Sequence, residues 1–148
     1  MAYFRTFDPL SNVITLGAIT IGGYADGTFI TISRESDGYT DEAGAGGDVV
    51  RTRSRDKRAT VTITLQAASP SNDALSAIAV LDEETPLPFN TTKAFEMREV
   101  GGSTVAGGPE AWVMKVPDIE RAKEAGTVEW RIRVASCRMK VGGLVASL

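Results

Sequence analysis

The chain has 148 residues, enough for one domain with its own core, and its 43% hydrophobic and 24% charged residues are typical of a globular protein. A net charge of −3 argues against a general attraction to nucleic acid. The absence of histidine removes the commonest general base and metal ligand, and the one cysteine, Cys137, excludes an internal disulfide framework and a Cys/His zinc site.

Two β-strands are predicted near the N-terminus. Asn12–Ile21 is rich in β-branched residues and is closed by Gly22 and Gly23. Phe29–Ser33 follows the turn signal Asp26-Gly27. We expect these two runs to pair as a hairpin.

The segment 37–58 carries charge but no core residues. It is first acidic, around glycines 44, 46 and 47, and then basic, with arginines alternating at 51, 53 and 55. A loop of this length is usually functional or disordered, so a mobile, solvated arm is one interpretation. A second is a docking arm whose acidic and basic halves pair with the opposite halves on neighbouring subunits. A third is a phosphate-binding strip, which the nearby acids disfavour.

The next two elements have the clearest signals of the N-terminal half. Ala59–Gln66 alternates strictly, with Val61, Ile63 and Leu65 on one face and threonines on the other, as in a half-buried strand. A helix is predicted over about residues 71–83, capped by Ser71 or Asn72 and bearing an apolar stripe.

The C-terminal half is predicted to be mostly strands. The strands are Phe89 to about Val100, Ala111–Val116, Val128–Ala135 and the short Met139–Val141; Gly101–Pro109 is expected to be a flexible loop, and Asp118–Gly126 a charged connection with room for one helical turn. In Val128–Ala135 the apolar residues share one face and Glu129, Arg131 and Arg133 share the other. Trp112 and Trp130 are both expected to pack in the core.

Together these elements predict a mainly β fold over 1–148, a single domain. It is an antiparallel β-sandwich or barrel with one packed helix, at about 71–83, and a long extended arm, 37–58. No stretch approaches the roughly 20 apolar residues that cross a bilayer, and the first eight residues lack a secretory pattern. Without a catalytic base constellation, neither an enzyme nor a cofactor is expected.

Four stretches resemble the tail tube family of contractile-tailed bacteriophages. They are 37–42 with the glycine run and basic strand, 59–76, 111–118, and 124 to the closing strand with Gly142-Gly143. The resemblance implies a β-sandwich or barrel flanked by a helix, assembled into stacked six-fold rings inside a contractile sheath. It also implies an inner barrel built by strands of neighbouring subunits, through which DNA passes. The tube of type VI secretion systems is a structural relative.

On this basis two sets of residues are candidates for assembly. The inter-subunit set in the arm is Tyr39, Asp41, Glu42, Asp48, Arg51, Arg53 and Arg55, and the candidate lumen-facing set is Thr60, Thr62, Thr64, Glu129, Arg131 and Arg133. The expected partners are copies of the chain, the sheath, baseplate and tail-terminator proteins, with transient DNA passage. The expected location is the virion tail, after synthesis and assembly in the host cytoplasm. The alternatives are a non-polymerising baseplate or tail adaptor of the same fold and a small nucleic-acid-binding barrel using Arg51, Arg53 and Arg55.

Overall fold

The computed structural model describes residues 8–89 and 91–143. These residues form ten strands, one α-helix and a short 3-10 turn at Pro9–Ser11. The strands are β1 Asn12–Leu16, β2 Ile19–Ile21, β3 Ile30–Arg34, β4 Tyr39–Ala43, β5 Val49–Arg53, β6 Ala59–Gln66, β7 Lys93–Glu99, β8 Val105–Lys115, β9 Thr127–Val134 and β10 Arg138–Lys140, and the helix is α1 Ser71–Glu84. Within the described residues, no helix is long and apolar enough to cross a membrane. The prediction of a mainly β, antiparallel fold with one helix is confirmed.

The main sheet has eight antiparallel strands and curls back on itself. Its order is β2-β1-β7-β8-β9-β6-β3, and β10 pairs with β8. After β2 the chain crosses to the edge of β6 beyond β3, where Tyr24 bridges Leu65 and Gln66 N–H donates to the Gly23 carbonyl. The sheet therefore curls around its own apolar face, while the outer edge of β3 has no partner among the described strands.

The core lies inside this rolled sheet. Val61, Ile63 and Leu65 of β6 are fully buried, and Trp130 and Ile132 of β9 face them. The alternation predicted for both strands is therefore confirmed, because each strand has one face on the core and one face outside it.

The helix α1 packs against the sheet through Leu75 and Ala79, as its apolar stripe predicts. Its cap differs from the prediction: the residue at the N-cap is Pro70, and Ser69 Oγ accepts the Ser71 N–H instead. The Ser71 hydroxyl accepts the Gly22 N–H at 2.9 Å. The Asn72 side chain also makes its hydrogen bonds to groups outside the helix, so neither predicted residue caps the helix.

The predicted hairpin between Asn12–Ile21 and Phe29–Ser33 is wrong. The first run is itself the hairpin, with β1 and β2 joined by the two-residue turn Gly17-Ala18, where Gly17 has φ 62°. β3 lies at the opposite end of the sheet and pairs with β6.

The predicted loop at 101–109 is also wrong, because β8 already begins at Val105. Gly107 and Gly108 lie within this strand for a packing reason. A Cβ on Gly107 would overlap the Phe95 carbonyl oxygen, and one on Gly108 would overlap the Ser136 carbonyl. Here glycine permits close approach of backbone to backbone. Residues 118–126, which have room for one helical turn, contain no helix.

The two tryptophans lie on opposite faces of the sheet. Trp130 is 2% exposed and packs in the core as predicted. Trp112 is only half-buried and sits opposite Arg133 on the outer face, so its predicted core position is wrong. The neighbouring Ala111 and Val113 take the inward positions of β8 instead.

Candidate assembly surfaces

The segment 37–58 contains a two-stranded hairpin that is separate from the main sheet. Among the strands that the structure describes, β4 and β5 pair only with each other, and all ten of their residues are exposed. The turn is closed by Gly44 N–H donating to the Asp48 carbonyl at 2.7 Å. An isolated two-stranded hairpin is at best marginally stable in water. The side chains of this hairpin are therefore not buried against the core of their own chain.

The acidic and basic halves of the hairpin face one another within the chain. Asp41 is opposite Arg51 in the register, and Tyr39 is opposite Arg53. The Arg51 guanidinium lies 4.2 Å from the centre of the Tyr39 ring, and Arg53 lies 5.8 Å from it. These cation–π contacts hold both arginines on one face of the hairpin. Arg55 lies beyond the end of β5.

Ionic contacts tie the base of the hairpin together. The Arg58 guanidinium donates to Asp56 through Nε at 2.9 Å and through a terminal nitrogen at 3.0 Å, and the Ser36 hydroxyl donates to the same carboxylate at 2.8 Å. The hydrogen bonds from Arg58, followed by that from Ser36, hold the pKa of Asp56 well below its usual range. An ionised cluster thus holds together the two segments that lead into and out of the hairpin.

The six candidate lumen-facing residues form one continuous polar face. They are directly opposite in pairs: Thr60 with Arg133, Thr62 with Arg131, and Thr64 with Glu129. Thr60 also donates to the Glu35 carboxylate, and this hydrogen bond, together with nearby Arg133, lowers the pKa of Glu35. Arg133 is 16% exposed in its side chain, with one terminal nitrogen 3.2 Å from the Glu35 carboxylate.

This face is less open than the sequence suggests. Residues 117–126 form a loop beside the sheet, and the two flank an open cavity of about 1210 Å³ with Glu129 and Arg131 in its lining. These two residues therefore belong to a wide groove, whereas the threonines are half-buried on β6.

A surface that sequence reasoning missed is an apolar groove beside α1. It has a volume of about 300 Å³ and lies between the helix and the β1–β2 hairpin. Its walls include Leu16, Ile19, Ala74, Ile78 and Leu81. The signal was present in the sequence, since Leu81 flanks the apolar stripe of the helix, but a stripe alone does not reveal that its edge stays uncovered.

The described residues favour neither of two kinds of reactive site, a metal centre and an activated thiol. No group of three or more Asp, Glu or Cys among residues 8–89 and 91–143 is placed to hold a metal ion. Cys137 is buried, and burial raises the pKa of its thiol, which disfavours the reactive thiolate.

The model of the family Bacteriophage PhiTE tail tube protein matches residues 15–142. The chain belongs to this phage tail tube family. Structural protein ORF10 of Pseudomonas phage KPP10 is 24% identical over 126 residues, covering 84% of this chain and 71% of that protein. The resemblance drawn from sequence is therefore confirmed.

Solved structures share the fold of this tail tube family member at low sequence identity. The tube-terminating cap of the anti-feeding prophage matches with a TM-score of 0.61 and 11% identity, over 95% of this chain and 94% of that one. The sheath/tube terminator of the extracellular contractile injection system PVC has the same TM-score and identity, over 95% and 100%. The PVC sheath–tube complex matches at 0.58 with 9% identity, over 91% of each chain.

Membership of the tail tube family settles the class of function. The chain is a structural protein of the phage tail and not an enzyme. Its place is accordingly the tail of the virion.

Proposed function

We propose that this protein, acting as one tail-tube-like domain over 1–148, assembles into six-membered rings that stack into the inner tube of a contractile tail. The stacked rings enclose the channel through which the genome leaves the particle, without binding DNA specifically. The sheath surrounds the tube, and baseplate and terminator proteins contact its two ends. Synthesis and assembly take place in the cytoplasm of the bacterial host.

The observation that carries this proposal is the hairpin of β4 and β5. Every residue in its strands is exposed, including Val49 at 66% and Val50 at 58%. A hairpin with so little support from its own body gains burial when it contacts another copy, which offsets the cost of ordering it. The inter-subunit set predicted from sequence lies within or directly beside this hairpin.

The sheet edges support the same proposal. β3 ends the main sheet, and pairing of its free edge with another copy would extend the sheet across a subunit boundary. Identical subunits joined by a head-to-tail contact form a closed ring when the rotation between them closes. The polar face of Thr60, Thr62 and Thr64 then lines the channel.

Electron microscopy of the purified protein at increasing concentration tests the proposal, and we expect rings and hollow tubes. A shortened variant, with residues 41–51 replaced by Asn-Gly, joins Thr40 to Thr52 through a two-residue turn. It should keep the fold and lose the stacking. Protein that stays monomeric at all concentrations contradicts the proposal, and unchanged tubes from the shortened variant remove the hairpin from it.

A second candidate function is a tube-fold terminator or adaptor that does not polymerise. It is favoured by the fold that this chain shares with the anti-feeding prophage cap and the PVC terminator, each matched over 95% of this chain. This candidate predicts finite rings that never lengthen into tubes. Particle length measured against protein concentration separates the two functions.

A further inference from the structure

The hairpin tip and the groove beside α1 are both apolar surfaces left uncovered in the folded chain. Val49 and Val50 are exposed at the tip, next to Ala43 and the turn of residues 44–48. The groove keeps Leu81 56% exposed although its walls are aliphatic. Exposed apolar surface that is concentrated in this way marks an interaction site.

The charges beside these two surfaces are opposite in sign. Glu42 is directly opposite Val50 in the hairpin, and Asp48 precedes Val49, so the tip is acidic. Among the described residues that line the groove, Lys93 is the charged one, and it lies at the start of β7. An acidic, aliphatic tip therefore matches an aliphatic groove with a basic edge.

The tip and groove lie on different parts of the barrel. The hairpin connects β3 to β6 at one end of the sheet order, whereas Leu16 and Ile19 of the groove belong to β1 and β2 at the other end. A contact between two different patches on identical chains is head-to-tail, so it propagates from copy to copy.

We propose that the hairpin tip of one copy inserts into the groove beside α1 of the next copy. This inference rests on the proposed self-assembly and names the surface that receives the hairpin. Val49 and Val50 point to opposite faces of the hairpin, because they are consecutive in a strand. Both are buried only if the tip enters the groove end-on, with α1 against one face and the β1–β2 hairpin against the other.

Disulfide trapping tests the contact directly. A chain carrying both Val50→Cys and Leu81→Cys should give a ladder of covalent oligomers when assemblies are oxidised. The matched control combines Val50→Cys with Ile119→Cys, since Ile119 is 84% exposed and lies outside the groove. The buried native Cys137 should give no ladder in the unmodified protein. We also expect a thiol at Leu81→Cys to react with maleimide in the monomer and to be protected in tubes.

Two sets of variants test the chemistry of the contact. Val49→Thr and Val50→Thr preserve the β-branched shape, and each should raise the concentration needed for assembly about tenfold, because an apolar side chain no longer gains from burial. Val141→Thr, exposed and distant in sequence, should change it little. Lys93→Glu should weaken assembly, and combining it with Glu42→Lys should restore it.

The outcomes separate this inference from the function on which it rests. Tubes that form normally while Leu81→Cys stays reactive, or that cross-link equally through Ile119→Cys, overturn the tip-in-groove contact and leave self-assembly standing. A protein that never assembles overturns both. A ladder specific to Leu81→Cys, with rescue of Lys93→Glu by Glu42→Lys, supports the contact.

Discussion

The side chain of Asn72 joins the helix to the barrel, and the variant Asn72→Asp tests that role. Its amide nitrogen donates to the Gln66 carbonyl at 3.0 Å and the Ala67 carbonyl at 3.3 Å. Its amide oxygen accepts the Trp130 indole N–H at 2.9 Å. Aspartate keeps the acceptor for Trp130 but replaces the donor by a carboxylate oxygen that faces two carbonyls.

The expected loss follows from those bonds. Two donated hydrogen bonds are worth about 1–3 kcal/mol together. A negative charge in the first turn of α1 returns about 0.3–1 kcal/mol through the helix dipole. The net effect is a destabilisation of about 1–2 kcal/mol, which for a chain of this size lowers Tm by about 2–8 °C.

The assay is thermal unfolding followed by circular dichroism at neutral pH. Were Asn72 a helix cap, Asn72→Asp would leave Tm unchanged or raise it, because the two residue types cap equally well. Asp73→Asn is the control; Asp73 is exposed in the first turn, so its loss should cost only the dipole contribution. A Tm for Asn72→Asp equal to or above that of the unmodified protein would refute the anchoring role.

Two further predictions concern β8 and the hairpin base. In denaturant unfolding, Gly108→Ala should destabilise the protein by about 1–3 kcal/mol, because the added methyl group overlaps the Ser136 carbonyl. In the control Gly126→Ala the methyl group meets no atom within 4 Å, so this variant should be nearly neutral. Equal stabilities of the two variants would contradict the close approach in β8. Because the pKa of Asp56 is lowered in the folded protein, its contribution to stability is complete above its unfolded pKa of about 3.9 and is lost as pH falls below it. Asp56→Asn should flatten the acid limb of a plot of unfolding free energy against pH. It should also make that limb insensitive to salt concentration. An unchanged plot would contradict the ionised cluster.

The parts of the fold that could be predicted from sequence are those in which one strand carries its own signal. β6 and β9 alternate strictly because one face of each meets the core, and the pattern is visible without knowledge of the neighbours. The helix was predicted within one residue at its C-terminal end, since Thr85 precedes a proline. The pairing between strands could not be predicted in this way, because it depends on contacts between residues that are distant in sequence.

The errors share that origin. In β8, glycines that permit backbone contact with Phe95 and Ser136 look the same in sequence as glycines in a loop. In the first hairpin, Gly17 was the available signal, because an isolated glycine within a β-branched run indicates a turn or bulge. Trp112 was misplaced because hydrophobicity alone does not state which face of a strand is inward.

The charge pattern of the hairpin shows how local pairing limits an inference about assembly. From sequence, an acidic stretch followed by a basic one is equally suited to pairing within a chain and between chains. The register places Asp41 opposite Arg51, and the Arg51 guanidinium packs against Tyr39 of the same hairpin. These interactions are available to a solitary copy, so they shape the hairpin more than they select a partner. At the tip, Val49 and Val50 stay exposed and the acids beside them have no cation opposite them in the hairpin register. An interface between copies therefore gains the most stability by burying these groups.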